Sequence, residues 1–145
     1  MIMQIIWTYP AVFEQLDGEV VVRFPDVPGC ITGAETMEEA RELAPDALGE
    51  VILHFLAHGH PVPAPRRAAK GEEAVVLDPL TAGRAAVASI MAERNVSEAA
   101  LATLMRRDEK VVRRIVGGAR GVTMDNVTAA LEALGARPAL EVEVI

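Results

Sequence analysis

The apolar positions of this chain change period near residue 36 and change character again near residue 78. Residues 2–7 and 9–15 are rich in β-branched and aromatic side chains, which predicts strands. Leu16, Asp17, Gly18 and Glu19 carry the Asp-Gly signal of a tight hairpin, and residues 20–24 supply the returning strand. Pro25, Asp26, Val27, Pro28, Gly29 and Cys30 read as a turn-rich loop, with a short third strand over residues 30–32. From Thr36 the period becomes helical. Thr36 and Glu39 form a capping box, in which the hydroxyl caps the helix and the carboxylate reaches back. Ala40, Leu43, Ala44, Ala47, Leu48, Val51, Ile52, Phe55 and Leu56 then keep one apolar stripe. Pro45 removes one backbone bond, at roughly 3 kcal/mol if unrelieved. The stripe stays in phase on both sides of it, so the reading is one kinked helix. Gly59 ends that helix, residues 60–65 run extended, and residues 73–78 form another strand.

The remainder reads as four short helices. Asp78 and Pro79 start the first, which runs to about Arg94 and turns Val87, Ile90 and Met91 inward. Ser97 caps a second helix carrying Leu101, Leu104 and Met105. Asp108 caps a third carrying Val112, Ile115 and Val116, stopped by Gly117 and Gly118. Thr123 caps a fourth with Val127, Ala130, Leu131 and Leu134. The tail from Leu140 alternates like a half-buried strand. The expected class is α+β. A sheet-plus-helix domain over residues 1–78 precedes an all-α domain over residues 79–145 with a short C-terminal strand.

Composition narrows this. Of 145 residues, 24 are Ala and 18 Val, so the core is built from small aliphatic side chains. No basic segment precedes the apolar N-terminus, and Glu14 and Asp17 come too early for a membrane span. Neither a signal peptide nor a transmembrane anchor is expected. A single cysteine, Cys30, suits a reducing cytoplasm. Charge divides the chain. Residues 1–79 hold five basic and thirteen acidic side chains, a net of −8, and residues 80–145 hold nine and eight. Within the second part, residues 106–120 carry six basic and two acidic groups. Two different partners are implied. All five aromatic residues lie before residue 56, so the second part has no platform for stacking bases.

The second and third helices of the all-α part have helix-turn-helix spacing, with small Ala102 at the expected crossing and Val112 locking the third helix. That third helix projects Glu109, Lys110, Arg113 and Arg114 outward. Lys110, Arg113 and Arg114 suit base edges, while Arg106, Arg107 and Arg120 suit phosphates. The plainer reading is a solvated basic face. Arg106 and Arg107 stand in the turn where a glycine and an apolar residue are expected. His54 and His58 share a helix face near His60, but no further ligand completes a metal site, and histidines suit a helix C-terminus. Cys30 has no base nearby and reads as packing. Asp17, Asp26, Asp46 and Asp78 do not form a metal-nuclease set, and no loop cradles phosphate. No catalytic residue, cofactor or metal is expected.

Several strings together resemble one family. Tyr9-Pro-Ala-Val-Phe-Glu14, the Asp17-Gly18 turn, Pro25-Asp-Val-Pro-Gly-Cys30, Thr36-Met-Glu-Glu-Ala40 and Gly59-His-Pro-Val-Pro63 resemble the N-terminal domain of the HicB antitoxins. A helix-turn-helix half ending in Ala-Leu-Glu-Ala-Leu-Gly resembles the appended DNA-binding domain of many of them. The resemblance implies a type II antitoxin whose N-terminal domain is a reduced, non-catalytic ribonuclease H-like fold. That domain would bind HicA, a small basic ribonuclease, and mask its catalytic histidine. Asp26, Val27, Pro28, Gly29 and Cys30 are the expected toxin contacts. The C-terminal domain of a homodimer or tetramer would bind operator double-stranded DNA and repress its own operon. Two rival classes are a solitary helix-turn-helix regulator with a protein- or ligand-binding N-terminal domain, and a nuclease.

Overall fold

A computed structural model describes residues 4–145. Three strands come first: β1 (Thr8–Leu16), β2 (Glu19–Arg23) and β3 (Ile31–Ala34). Helix α1 (Met37–Ala57) and strand β4 (Glu73–Val76) follow. The chain ends in α2 (Pro79–Arg94), α3 (Glu98–Met105), α4 (Glu109–Val116) and α5 (Met124–Ala133). The class is α+β. Two compact units result, one of residues Met1–Ile52 with Pro63–Asp78, the other of Leu53–Val62 with Pro79–Ile145. The last turn of α1 therefore packs with the second unit.

In the first unit the sheet is antiparallel throughout, in the order β3-β2-β1-β4. Asp17 and Gly18 both take positive φ, 47° and 79°, the two-residue turn whose twist matches a hairpin. That turn pairs Leu16 with Glu19 and sets the register of the remaining pairs. Tyr9, Ala11, Val20, Val22, Ala34 and Val75 are buried in consequence. Helix α1 covers this face. Its Arg41 reaches Glu73 on β4 at 2.8 Å and lies over the Phe13 ring. Ala40, Ala44, Leu48, Ile52 and Leu56 form its buried stripe, four residues apart. Fully burying Leu48 and Ile52 stabilises by about 1.5–3 kcal/mol each. Helix α1 runs unbroken through Pro45, as the in-phase stripe predicts.

Three strand expectations need correction here. Residues 4–7 are not a strand, and Ile5 and Ile6 are exposed; the earlier part of that expected strand lies outside the described residues. Strand β4 stops at Val76, opposite Thr8, and among the described residues one further bond, Leu77 N–H to the Trp7 carbonyl, extends the pairing. Strand β3 begins at Ile31, because Cys30 closes the preceding loop.

In the second unit, Val87, Met91, Leu101, Ala102, Val112, Ile115, Val127, Ala130, Leu131 and Leu134 form one core. Ser97, Asp108 and Thr123 cap their helices as expected, accepting from the amides of Ala100, Lys110 and Asn126. Small residues bring these short helices close. A Cβ on Gly83 of α2 would sit 2.6 Å from the Val127 side chain of α5. Leu104, one of the apolar residues that α3 carries, is 60% exposed, because this eight-residue helix buries only Leu101 and Ala102. The expected C-terminal strand is also absent: Leu140, Val142, Val144 and Ile145 are exposed and unpaired in regular structure. An alternating segment becomes a strand only when a neighbouring strand meets its backbone groups.

Candidate partner and nucleic-acid interfaces

The loop between β2 and β3 is two fused tight turns. Val27 N–H donates to the Phe24 carbonyl at 3.2 Å, and Cys30 N–H donates to the Val27 carbonyl at 3.0 Å. Phe24 N–H then closes the loop on the Cys30 carbonyl at 3.2 Å. Pro28 followed by Gly29 at φ 80° suits the central pair of a type II turn. Phe24, Val27 and Cys30 turn into the core, leaving Pro25, Pro28 and Gly29 at the surface and Asp26 half-buried. Burial pushes the Cys30 thiol up to about 11, so at neutral pH it is a packed thiol.

One arginine braces this loop. Arg66 Nε donates to Asp26 at 2.5 Å, and its two Nη groups donate to Glu72 at 2.8 and 2.9 Å. The Arg66 hydrogen bonds, with a bond from the Ala69 amide, hold the Glu72 carboxyl at about 2. The clamp joins residues forty positions apart, and the sequence offers no signal for it. A second long-range bond, from the buried Tyr9 hydroxyl to the Pro63 carbonyl at 2.6 Å, pins the extended segment after α1. Burial raises the Tyr9 phenol, which favours that neutral donor.

The basic row of the second unit centres on α4. Val112 and Ile115 are buried while Glu109, Lys110, Arg113 and Arg114 are exposed, as their spacing predicts. The exposed side chains differ in their engagements. Arg113 lies between Glu98 at 3.4 Å and Glu109 at 3.5 Å. Arg114 donates to the Arg120 carbonyl at 2.5 Å, so it braces the loop between α4 and α5. Arg107 donates to Asn126 at 3.1 Å. Arg106 stands in the left-handed region, φ 58° and ψ 43°. Its N–H and that of Arg107 donate to the Thr103 and Ala102 carbonyls, closing the end of α3. Surface ion pairs such as those of Arg113 are worth about 0–1 kcal/mol and give way to a stronger anionic partner.

Two residues that sequence reasoning missed lie on α2. Arg84, buried, donates to the Ile115 and Arg114 carbonyls at the end of α4. Arg94 donates to the Leu134 carbonyl at the end of α5. In sequence both read as ordinary helix cations. His54, His58 and His60 are exposed at the end of α1, where the His58 ring packs 4.1 Å from that of His54 and donates to the His54 carbonyl. Among the described residues, no three His, Cys, Asp or Glu side chains are placed to hold a metal ion. No helix among them is long and apolar enough to cross a membrane.

Comparison with known proteins bears on the family. Residues 8–86 match the family described as HicB-like antitoxins of bacterial toxin-antitoxin systems. Antitoxin HicB 2 of Photorhabdus laumondii is 32% identical over 127 residues, covering 88% of this chain and 90% of that protein. Antitoxin HicB 1 of the same organism is 26% identical, covering 93% and 86%. Antitoxin HicB of Pseudomonas fluorescens is also 26% identical, covering 96% of each. Matched over all four strands and α1, and by relatives aligned along nearly its full length, the chain belongs to the HicB family of antitoxins.

Proposed function

We propose that this antitoxin neutralises a HicA-type mRNA-cleaving toxin through its sheet unit and represses its own operon through its helical unit. The observation that carries the reading is the division of charge between the units. Residues 1–79 have a net charge of −8, suited to a basic ribonuclease. The exposed row of α4, backed by buried Val112 and Ile115, is suited to DNA. On this reading α3 and α4 are a helix-turn-helix, with Lys110 and Arg113 facing base edges. Arg106, Arg107 and Arg120 face phosphates, and Arg114 supports the loop behind them. Toxin contacts come from Pro25, Pro28 and Gly29 with braced Asp26, while Val27 and Cys30 shape the loop from below. A chain with one such helix pair reads one half-site, so the DNA-bound form is a homodimer or larger. The protein acts as a binding module in the cytoplasm and not as an enzyme.

The test is co-expression with a HicA-type toxin, combined with binding to the DNA upstream of its own coding sequence. Rescue of growth, a stable complex and preference for that DNA over random duplex are expected. Neutralisation without DNA preference would remove the repressor half of the reading. DNA preference without any toxin complex would favour a solitary regulator.

A further inference from the structure

Helix α4 has eight residues, and its last carbonyls lack partners within the helix, as at any helix end. Backbone amides close its neighbours, Arg106 and Arg107 at the end of α3 and Leu134 at the end of α5, where Arg94 adds one side-chain bond. The last turn of α4 receives a side chain from another helix. Arg84 of α2, only 4% exposed, donates from Nε to the Ile115 carbonyl at 2.9 Å and from Nη2 to the Arg114 carbonyl at 3.2 Å. Burying a guanidinium is costly unless its donors are met. Here it is also placed at the negative end of the α4 dipole. Its planar fork spans two successive carbonyls, which fixes the rotation and axial position of α4 as a single point charge does not.

We infer that Arg84 is a positioning residue for sequence reading: it sets α4 so that Lys110 and Arg113 meet base edges in register. The inference rests on the reading of α4 as the DNA-contacting helix. The carbonyls Arg84 holds belong to the two residues that follow Arg113. Paired hydrogen bonds to a base edge need close alignment, whereas phosphate attraction is long-ranged and tolerates displacement. Loosening α4 therefore removes discrimination before it removes affinity. Arg94 provides the internal comparison: exposed on α2, it donates one bond to the Leu134 carbonyl at the end of α5, and α5 carries none of the proposed base contacts.

The experiment measures binding of the full chain to its own upstream DNA and to a random duplex at two salt concentrations. The variants are Arg84→Lys, Arg84→Met and Arg94→Lys. Circular dichroism and thermal melting confirm that each is folded. Arg84→Lys keeps the buried cation and is the variant that decides should Arg84→Met fail to fold. Arg84→Lys is expected to lose about tenfold in preference for the upstream DNA, the equivalent of one good base contact. Its random-duplex affinity and salt slope should stay within about twofold. Arg94→Lys should lower the melting temperature and leave the preference intact. Equal loss on both DNAs, or an unchanged preference in folded Arg84→Lys, overturns the positioning role. A wild-type chain that shows no preference overturns the DNA reading, and this inference with it.

Discussion

The two short connections that shape the proposed interfaces both turn on one residue in the left-handed region, but they fill it differently. In the β2–β3 loop that residue is Gly29, at φ 80°. Between α3 and α4 it is Arg106, at φ 58°. Glycine enters the left-handed region at no steric cost, whereas a residue with a Cβ pays about 1–2 kcal/mol there. Both turns are closed by backbone hydrogen bonds of ordinary length, so the difference is not one of pairing. The loop of the sheet unit is turned without strain, and as the proposed toxin contact it would lose little entropy on docking. The turn of the helical unit accepts strain and in return carries a long cation beside α4. Strain kept at a surface turn points to a use for the side chain.

Three positive-φ positions test whether backbone geometry or side-chain packing sets these costs. The largest effect is expected at Gly118, φ 74°, where an added Cβ would lie 2.9 Å from the Leu53 carbonyl and 3.0 Å from the Ala57 side chain. Gly118→Ala should combine the left-handed penalty with a clash against the α1 backbone, a loss of about 2–4 kcal/mol in urea denaturation. A loss below about 1 kcal/mol would mean that the last turn of α1 is not held this closely. At Gly29 nothing lies within 4 Å of the added Cβ. Gly29→Ala therefore isolates the backbone cost, about 1 kcal/mol, with the hydrophobic core untouched.

Much of this was legible because it is local. The Asp17-Gly18 turn, the Thr36 capping box, the caps at Ser97, Asp108 and Thr123 and the α1 stripe each depend on residues a few positions apart. The failures share the opposite property. Residues 4–7 and the tail have strand-like composition, yet a strand needs a partner, and partner supply is not written in the segment itself. Similarly, Arg66 with Asp26, and Arg84 with the end of α4, join positions thirty to forty residues apart. For the candidate site, the outward row of α4 was readable from period, but the engagement of Arg114 by the Arg120 carbonyl was not. Val27 shows the same limit, because turn composition does not say which residues of a loop face inward, whereas Cys30 is buried as its reading as packing predicts.

Acid sharpens the contrast between the units, because the shifted carboxylates are in the sheet unit. Arg66 lowers Glu72 to about 2, and the Arg41 hydrogen bond lowers Glu73. A carboxylate with a depressed folded value adds stability above its unfolded value, near 4.5, and loses it as pH falls through the folded one. Stability should therefore decline from about pH 4.5 toward pH 2, and Glu72→Gln should flatten part of that decline. Because the Arg41–Glu73 pair and the Arg66 side chain are solvent-exposed, the change is modest and shrinks in high salt. Urea midpoints at pH 7 and pH 3, with and without added salt, measure it. Identical acid slopes for the two proteins would remove the Arg66 clamp from the account of the loop.

The smallest expected effect is the most diagnostic for Arg106. Arg106→Gly relieves about 1–2 kcal/mol of left-handed strain, and the freer unfolded chain takes back about 0.5–1 kcal/mol. The net is a gain of about 0.5 kcal/mol, visible as a small rise in urea midpoint. If the midpoint falls instead, the side chain supports the turn and the strain argument is wrong. The same variant should bind random duplex more weakly, with a salt slope lower by about one, because one phosphate contact is gone. Its preference for upstream over random DNA should stay, since Lys110 and Arg113 are untouched. A variant that is more stable but binds DNA more weakly would mean that strain in the turn is kept for the phosphate contact. A variant that is more stable and binds DNA as before would leave the arginine in the turn without a DNA role, and would separate this turn from the proposed interface.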